Sequence, residues 1–542
     1  MTEAPWREGR AGIALALFLA LAIVHTWPLA SAPAHLSLNH NADAQQAAWT
    51  LSWIAHTLPR DPLNLFNANI FAPEPNTLAY SDSVIVPALV GAPVRWLGGS
   101  PVLTYNVALL VGLTLTGWAT WLAARRWTGS TAAAVVAGSL ATFNPHILSR
   151  LPHIVAAFSW TIPLTLYLAD KLLDHPRRRD ACALALVVAA TAATSLYWLA
   201  LVGILNALVL VVALATRRWR AAGLVLAGSI GGLVIALPTL WPYARFAATG
   251  VIRPIENVPQ FSATLGGYLA SQSRLHAGWS APFFERDVSV FFAGFTAIGL
   301  ALAGLTARMA LPHLARRRLL ILATAAIGVL LSLGPLTSFY VWLYEWVPPL
   351  RALRAAARFG YLYLVAVAFA AAIGVAWLER RGRSVRTRLA IAVAAIGLVN
   401  LEAWSAPIRT LPFSRVPAIY DQLRTIPDPV LLVEMPFYPP EAISDNAEYE
   451  LNSTAHWRPI MNGASGYTPD SYRKRTEYLW FFPEQQAIDG ILREGATHVM
   501  VHLERFSPQE AAAIEAAMRG QTVLRLIASD AQGHRLYRVA RP

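Results

Sequence analysis

The chain has 542 residues, of which 56% are hydrophobic and only 14% charged, and its mean hydropathy is +0.44. Soluble globular domains carry about 25% charged residues, so the composition argues for many apolar spans. The net charge of +13 does not point to nucleic acid: the arginines sit in short clusters between apolar runs, as in the cytoplasmic loops of membrane proteins, and no nucleic-acid-binding motif accompanies them. The one cysteine, Cys182, excludes an internal disulfide, a Cys-based metal site and a redox pair.

The N-terminal MTEAPWREGR and the apolar run after it have the outline of a signal peptide. The run Ala11–Leu29 is long enough to span, and it reads as a retained first helix with Arg7 and Arg10 on the cytoplasmic side. A long polar loop, 30–104, then lies outside. Within it the stretch 44–58, with Trp49, Trp53 and Ile54, predicts an amphipathic interface helix. The apolar stretch 83–97 holds Pro87, Pro93 and Arg95 and reads as a surface or re-entrant helix, because a crossing here would invert every later arginine cluster. Further helices are expected at 105–124, 131–143 and 154–173. The run 181–215 is too long for one span at about 1.5 Å per residue, and a break near Thr194–Trp198 divides it in two.

A helix at 222–242 leads to a second large outer loop, Tyr243–Asp287, with Arg253, Glu256, His276 and Glu285 among its charged groups. Helices follow at 288–305, 319–333, 356–378 and 389–404. Between them, FYVWLYEWVPPL reads as an aromatic belt and a short interface helix. With about 20 apolar residues per crossing, the count is about eleven helices. The arginine clusters fall at the inner turns, and the C-terminal segment falls outside.

From about Ser405 acidic and amide residues appear regularly. PVLLVEMPF and HVMVH read as buried strands, PQEAAAIEAAMRG as a helix, and TVLRLIAS and HRLYRV as closing strands. The expected architecture is therefore a mainly α polytopic membrane domain, 1–404, and a small extracytoplasmic α/β domain, 405–542, a usual size for one domain.

Asp43 and Asp82 open and close the polar part of the first loop. A carboxylate at a membrane–water boundary is suited to accept a proton from an attacking hydroxyl. Each also has the sequence context of a helix N-cap. His40 is a polar neighbour of Asp43. His146, Arg150 and His153 lie together in the turn after the third helix and form either a phosphate-binding group, through the planar donor fork of arginine, or an interfacial polar turn. A metal reading is weaker, since no carboxylate is close in sequence. Arg351, Arg354 and Arg358 oppose the charge bias of the outer side. Spacings of three and four put them on one helical face, where they would attract an anion such as a lipid phosphate or snorkel to headgroups.

HNADAQQAAWTLSWIAHTL, NIFAPEPNTLAYSDS, FNPHILSRLPH, ERDVSVFFAG and LRALRAAARFG together resemble the GT-C membrane glycosyltransferases, the group of protein O-mannosyltransferases and lipid A aminoarabinose transferases. They are most similar to bacterial polytopic membrane proteins placed near that group. The resemblance covers most of the membrane part. It implies a transferase of the bacterial inner membrane, acting outside with a polyprenyl-phosphate-linked hexosyl or pentosyl donor and a glycan, lipid or protein acceptor. The family's first-loop acid maps to Asp43. Mannosyltransferases often carry adjacent acids there, whereas Ala44 follows Asp43, and no acidic pair supports a divalent metal. On this reading Asp43 is the general base and Asp82 a second acid. Arg354 and Arg358, with His153 and Arg150, hold the donor phosphate, and His40, His146, Arg351 and Glu285 are further candidates. Two other classes stay open, a non-catalytic lipid- or glycan-binding protein and a transporter of a lipid-linked sugar.

Overall fold

The computed structural model describes residues 8–250 and 253–540. Arg7 therefore lies outside the described residues, as do Val251 and Ile252 of the second long loop. The chain forms two compact units that interleave in sequence. One joins 1–31 to 107–409, and the other joins 32–106 to 410–542. The first long loop thus belongs with the C-terminal segment, not with the helices it follows.

In the first unit a helix occupies each stretch expected to be helical: Glu8–His25, Pro101–Thr128, Thr131–Thr142, Thr161–Asp174, Arg178–Ala192, Leu196–Ala215, Trp219–Ile235, Phe295–Thr306, Leu314–Ser332, Tyr361–Arg381 and Val385–Glu402. The expected break in 181–215 falls at 193–195, where the Ser195 hydroxyl caps the next helix by accepting from Tyr197 N at 3.1 Å. Three expectations are corrected. The helix expected at 154–173 is a single turn, Ile154–Ala157, followed by Thr161–Asp174. The one expected at 222–242 ends at Ile235, and a second helix, Leu237–Ala247, leaves it at 72°. Pro238 explains the bend, because it has no N–H to give and its ring clashes with the carbonyl four residues back. The helix expected from 288 starts only at Phe295, after Gly294 with φ +99, a conformation that L side chains avoid.

Among the described residues, three helices are long and apolar enough to cross a membrane, Pro101–Thr128, Leu196–Ala215 and Ala356–Arg381 (the last with its leading 3-10 turn). The bent pair makes a fourth if it is one span. Ala11–His25, Ile85–Trp96 and Phe295–Thr306 are apolar but shorter.

Small residues let the helices of this unit approach closely. Gly304 and Gly374 face each other so tightly that a Cβ on either would overlap the backbone of the facing helix, the small-residue contact favoured between membrane helices. Polar ties cross the packing. His25 Nε2 and Asn400 Oδ1 are 3.0 Å apart, and Asn400 Nδ2 donates to Ser139 Oγ at 3.1 Å. The Tyr361 hydroxyl, fully buried, donates to Ala141 O at 2.9 Å and lies 2.7 Å from Ser159 Oγ.

In the second unit, strands Leu432–Met435, His498–His502, His534–Val539 and Leu524–Ser529 lie side by side in that order, the first pair parallel and the others antiparallel. Helix Pro508–Arg519 begins in a capping box of Ser507 and Glu510, which satisfies two otherwise orphaned N–H groups. Helices Ala447–Ser453, Asp470–Leu479 and Gln485–Arg493 were not expected from the sequence. The first-loop segment docks on this sheet through its backbone: Ile460 N donates to Asn69 O at 2.8 Å, Phe71 N to Asn462 O at 2.9 Å and Ala72 N to Ile460 O at 3.0 Å. Leu36–Ser37 also pairs antiparallel with Leu411–Pro412. These bonds satisfy backbone groups that would otherwise be stranded.

Candidate functional site

In the helical unit, the basic residues singled out in the sequence gather. His146 sits in the short helix Pro145–Ser149 and stacks on Phe291 at 4.4 Å. His153 precedes the turn Ile154–Ala157. Burial, reinforced by Arg150, Arg358 and His153, pushes His146 down to about 3. Burial with Arg358, Arg150 and Arg354 holds His153 well below the ordinary imidazole range. Burial and the nearby arginines act in the same direction on both rings. Both rings are therefore neutral at pH 7 and offer one N–H each.

Arg354 lies over the Phe261 ring at 4.6 Å and Arg358 over the Tyr197 ring at 4.2 Å, so each guanidinium plane is held by an aromatic face. The Tyr197 hydroxyl is fixed in turn by the N–H of Ala355 at 2.9 Å. Arg354 also acts electrostatically on Arg253.

The helical-face argument for Arg351, Arg354 and Arg358 does not hold. Two 3-10 turns, Pro348–Ala352 and Ala356–Gly360, flank a non-helical stretch that holds Arg354, and the α-helix begins at Tyr361. Arg351 turns instead to the carbonyls of Tyr344 at 3.1 Å and Glu345 at 2.6 Å. Glu285 is exposed beside Gly266. Neither is among the groups acting on His146 or His153.

In the second unit, Asp43 is half-buried in the first turn of helix Ala42–Thr57. The cap is Asn41, whose side chain accepts from Asp43 N at 2.8 Å. Capping therefore does not account for Asp43, although a carboxylate in the first turn suits the helix dipole. Asp43 lies within electrostatic reach of the Tyr105 phenol. Asp82 is half-buried in the segment before helix Ile85–Trp96, whose N-cap is Val84 with φ +43, so Asp82 is not the N-cap either. Trp96 Nε1 donates to Ala55 O at 2.9 Å. This joins the C-terminal ends of the two helices and leaves both carboxylates on the N-terminal side of the pair. His40 is exposed in a turn. A groove of about 750 Å³ lined by His56, Arg60, Arg95, Trp96 and Trp457 includes neither acid.

Four groups were given no role in the sequence reading. Tyr197 sits in an apolar run, and Arg253 is one of several arginines in an unpatterned loop. Gln46 lies one helical turn after Asp43 and donates to Ala464 O. Glu450, fully buried, accepts from Ala464 N at 2.6 Å. Gln46 and Glu450 thus grip the same residue from two sides, a relation that needs the fold to be seen.

The family described as "Domain of unknown function (DUF6311)" matches residues 13–401. The chain belongs to this family. The DUF6311 match takes in nearly all of the helical unit and the first loop, including Asp43, Asp82 and every arginine of the basic group. No match is found among the curated proteins. Among solved structures the chain is similar to the mycobacterial arabinofuranosyltransferase AftD, with a TM-score of 0.63 and 15% identity over 99% of this chain and 40% of AftD. It is also similar to the apo oligosaccharyltransferase of Archaeoglobus fulgidus, with a TM-score of 0.50 and 11% identity over 95% of this chain and 73% of that one. The chain thus spans about 40% of the length of AftD. At these identities the likeness is one of fold, and the fold is GT-C-like.

Proposed function

We propose that this DUF6311 protein is a membrane glycosyltransferase that moves a sugar from a polyprenyl-phosphate-linked donor to a glycan, lipid or protein acceptor outside the bacterial inner membrane. The observation that carries the reading is the gathering of Arg150, Arg354 and Arg358 around two neutral histidines. In the reaction, the acceptor hydroxyl oxygen attacks the anomeric carbon and Asp43 takes its proton. The bond from that carbon to the phosphate oxygen breaks, and its electron pair leaves with the polyprenyl phosphate. Negative charge grows on that phosphate, and fixed cations beside it lower the barrier. Arg354 and Arg358 supply the charge, His153 and Arg150 add donors, and Asp82 serves as a second acid.

The reading includes about eleven crossings with the N-terminus inside and the C-terminal segment outside. One feature supports that sidedness. Arg126, Arg316 and Arg317, from two clusters expected inside, share one carboxylate, Asp170.

The test is to incubate the purified protein with a panel of polyprenyl-phosphate sugars and acceptors and follow donor consumption. The expected result is turnover of one donor by the wild type, with Asp43→Asn still binding that donor but not consuming it. Full turnover by Asp43→Asn would overturn the assignment of the base. Donor binding without consumption under any acceptor would favour the binding-protein reading, and intact passage of donor across proteoliposomes the transporter reading.

A further inference from the structure

We propose that the C-terminal segment carries a divalent transition-metal site, of zinc type, formed by His502 Nδ1, Glu504 Oε1 and His534 Nε2. His502 ends one strand, and His534 begins the antiparallel strand beside it. The two are direct cross-strand partners, so their side chains rise from the same face of the sheet. Glu504 lies in the 3-10 turn Leu503–Arg505 that follows the first strand, which returns its carboxylate over the pair. One Glu504 oxygen lies 3.2 Å from His502 Nδ1 and 3.4 Å from His534 Nε2, and the three ligand atoms all fall within 4.8 Å of one another. A tetrahedral zinc with arms of about 2.0–2.1 Å needs its ligand atoms about 3.4 Å apart.

The second observation is what holds the two rings from behind. His502 Nε2 lies 2.6 Å from Glu434 Oε2, which also accepts from the Tyr420 hydroxyl at 2.8 Å. His534 Nδ1 lies 2.6 Å from Asp530 Oδ2. With a metal bound, each ring would give the N–H of its far nitrogen to a carboxylate and turn the lone pair of its other nitrogen to the ion beside Glu504. This carboxylate–histidine arrangement is the usual outer shell of a metal-bound histidine, fixing its tautomer and orientation. Both histidines are buried, while the Glu504 side chain is 36% exposed, which leaves a fourth position open to water. Arg505 Nε lies 3.9 Å from the same Glu504 oxygen, but its guanidinium also pairs with Glu448.

Two histidines and one carboxylate select zinc or a neighbouring first-row ion rather than calcium or magnesium, which prefer all-oxygen sets. Bound there, the ion ties the ends of two paired strands to the turn that follows the first of them. Two protons on the imidazoles would balance the same carboxylates, and that metal-free state is the competing one.

The experiment uses the full chain in detergent, stripped with a chelator and titrated with zinc and with cobalt. The wild type is expected to bind one zinc, to give the intense visible absorption of four-coordinate cobalt, and to melt at a higher temperature with zinc than without. Glu504→Gln and His534→Gln should lose all three responses, and Asp530→Asn should weaken zinc binding about 10–100-fold. His175→Gln, an exposed histidine elsewhere in the chain, should behave as wild type. Because Glu504 is exposed, its variant should fold, and its melting in the absence of metal checks this. Absence of zinc binding in the wild type, or the same zinc stoichiometry and thermal shift in Glu504→Gln, would overturn the proposal.

Discussion

Arg317 Nη2 lies 2.8 Å from Asp170 Oδ2, with the two side chains 4% and 1% exposed. Asp170 also receives Arg126 Nε at 2.9 Å and Arg316 Nη2 at 2.8 Å, and the last two reach on to Asp174. One carboxylate therefore joins the ends of three helices. Removing one partner of a buried ion pair costs about 3–5 kcal/mol, because the other charge is left without compensation. Asp170→Asn should lower the melting temperature in detergent and the yield of folded protein. Asp174→Asn, which loses no contact with Arg317, should cost less. Equal melting of Asp170→Asn and wild type would show that the network does not hold the helix ends.

On the proposed mechanism, Asp43→Asn removes the base and little shape. General acid–base catalysis contributes about 10²–10⁴-fold, and a loss of that size in kcat with unchanged donor affinity is expected. Asp82→Asn should have a smaller effect, seen first at low acceptor concentration. Steady-state kinetics on the donor found by the panel separate these outcomes.

Arg358→Gln and Arg351→Gln make a paired test of the basic group. A hydrogen bond to a charged partner contributes about 1.5–3 kcal/mol, which is about ten- to a hundredfold in affinity. Arg358→Gln should lose that much binding of a polyprenyl phosphate, measured by calorimetry in detergent. Arg351→Gln should bind as wild type, because its guanidinium already serves the carbonyls of Tyr344 and Glu345. Equal losses would break the distinction drawn between the two arginines.

Glu450 gives a pH dependence with a definite sign. Burial raises its carboxyl well above the ordinary 4.5, offset in part by the Ala464 N–H. The folded value lies above the unfolded one, so the folded chain holds the extra proton. Its contribution is fully present below about pH 4.5 and declines as pH rises toward the folded value, by about 1.4 kcal/mol per pH unit. Glu450→Gln keeps an acceptor for Ala464 N and cannot ionise. The variant should melt near wild type at pH 5 and above it at pH 8. Parallel melting curves for the two proteins across that range would show that Glu450 titrates normally.

The apolar runs were legible because a helix in lipid needs length and low charge, and both are local properties. HRLYRV was legible as a strand for a similar reason, and it is one, His534–Val539. The alternative of Asp43 as a cap could not be dismissed from sequence, because Asn41, two residues earlier, offers the same kind of oxygen, and only backbone angles separate them. The basic group was legible in part. Arg354 and Arg358 stand out against the charge bias, but Arg253 and Tyr197 carry no local signal. The division of 348–360 into two 3-10 turns around a non-helical stretch was also hidden, since its spacing fits an α-helix equally well. The pairing of the first loop with the C-terminal segment could not be read at all, because nothing in either stretch names the other.

Ser37 Oγ donates to Leu411 O at 3.2 Å across 374 positions of chain, and this separation has a consequence for biogenesis. At about 5–20 residues per second, the ribosome adds the distant partner only after a delay on the order of tens of seconds. The loop bearing Asp43 must therefore pass that interval with its edge hydrogen bonds unmade, open to proteases and to mispairing. A chain truncated before Thr410 would be caught in that state permanently.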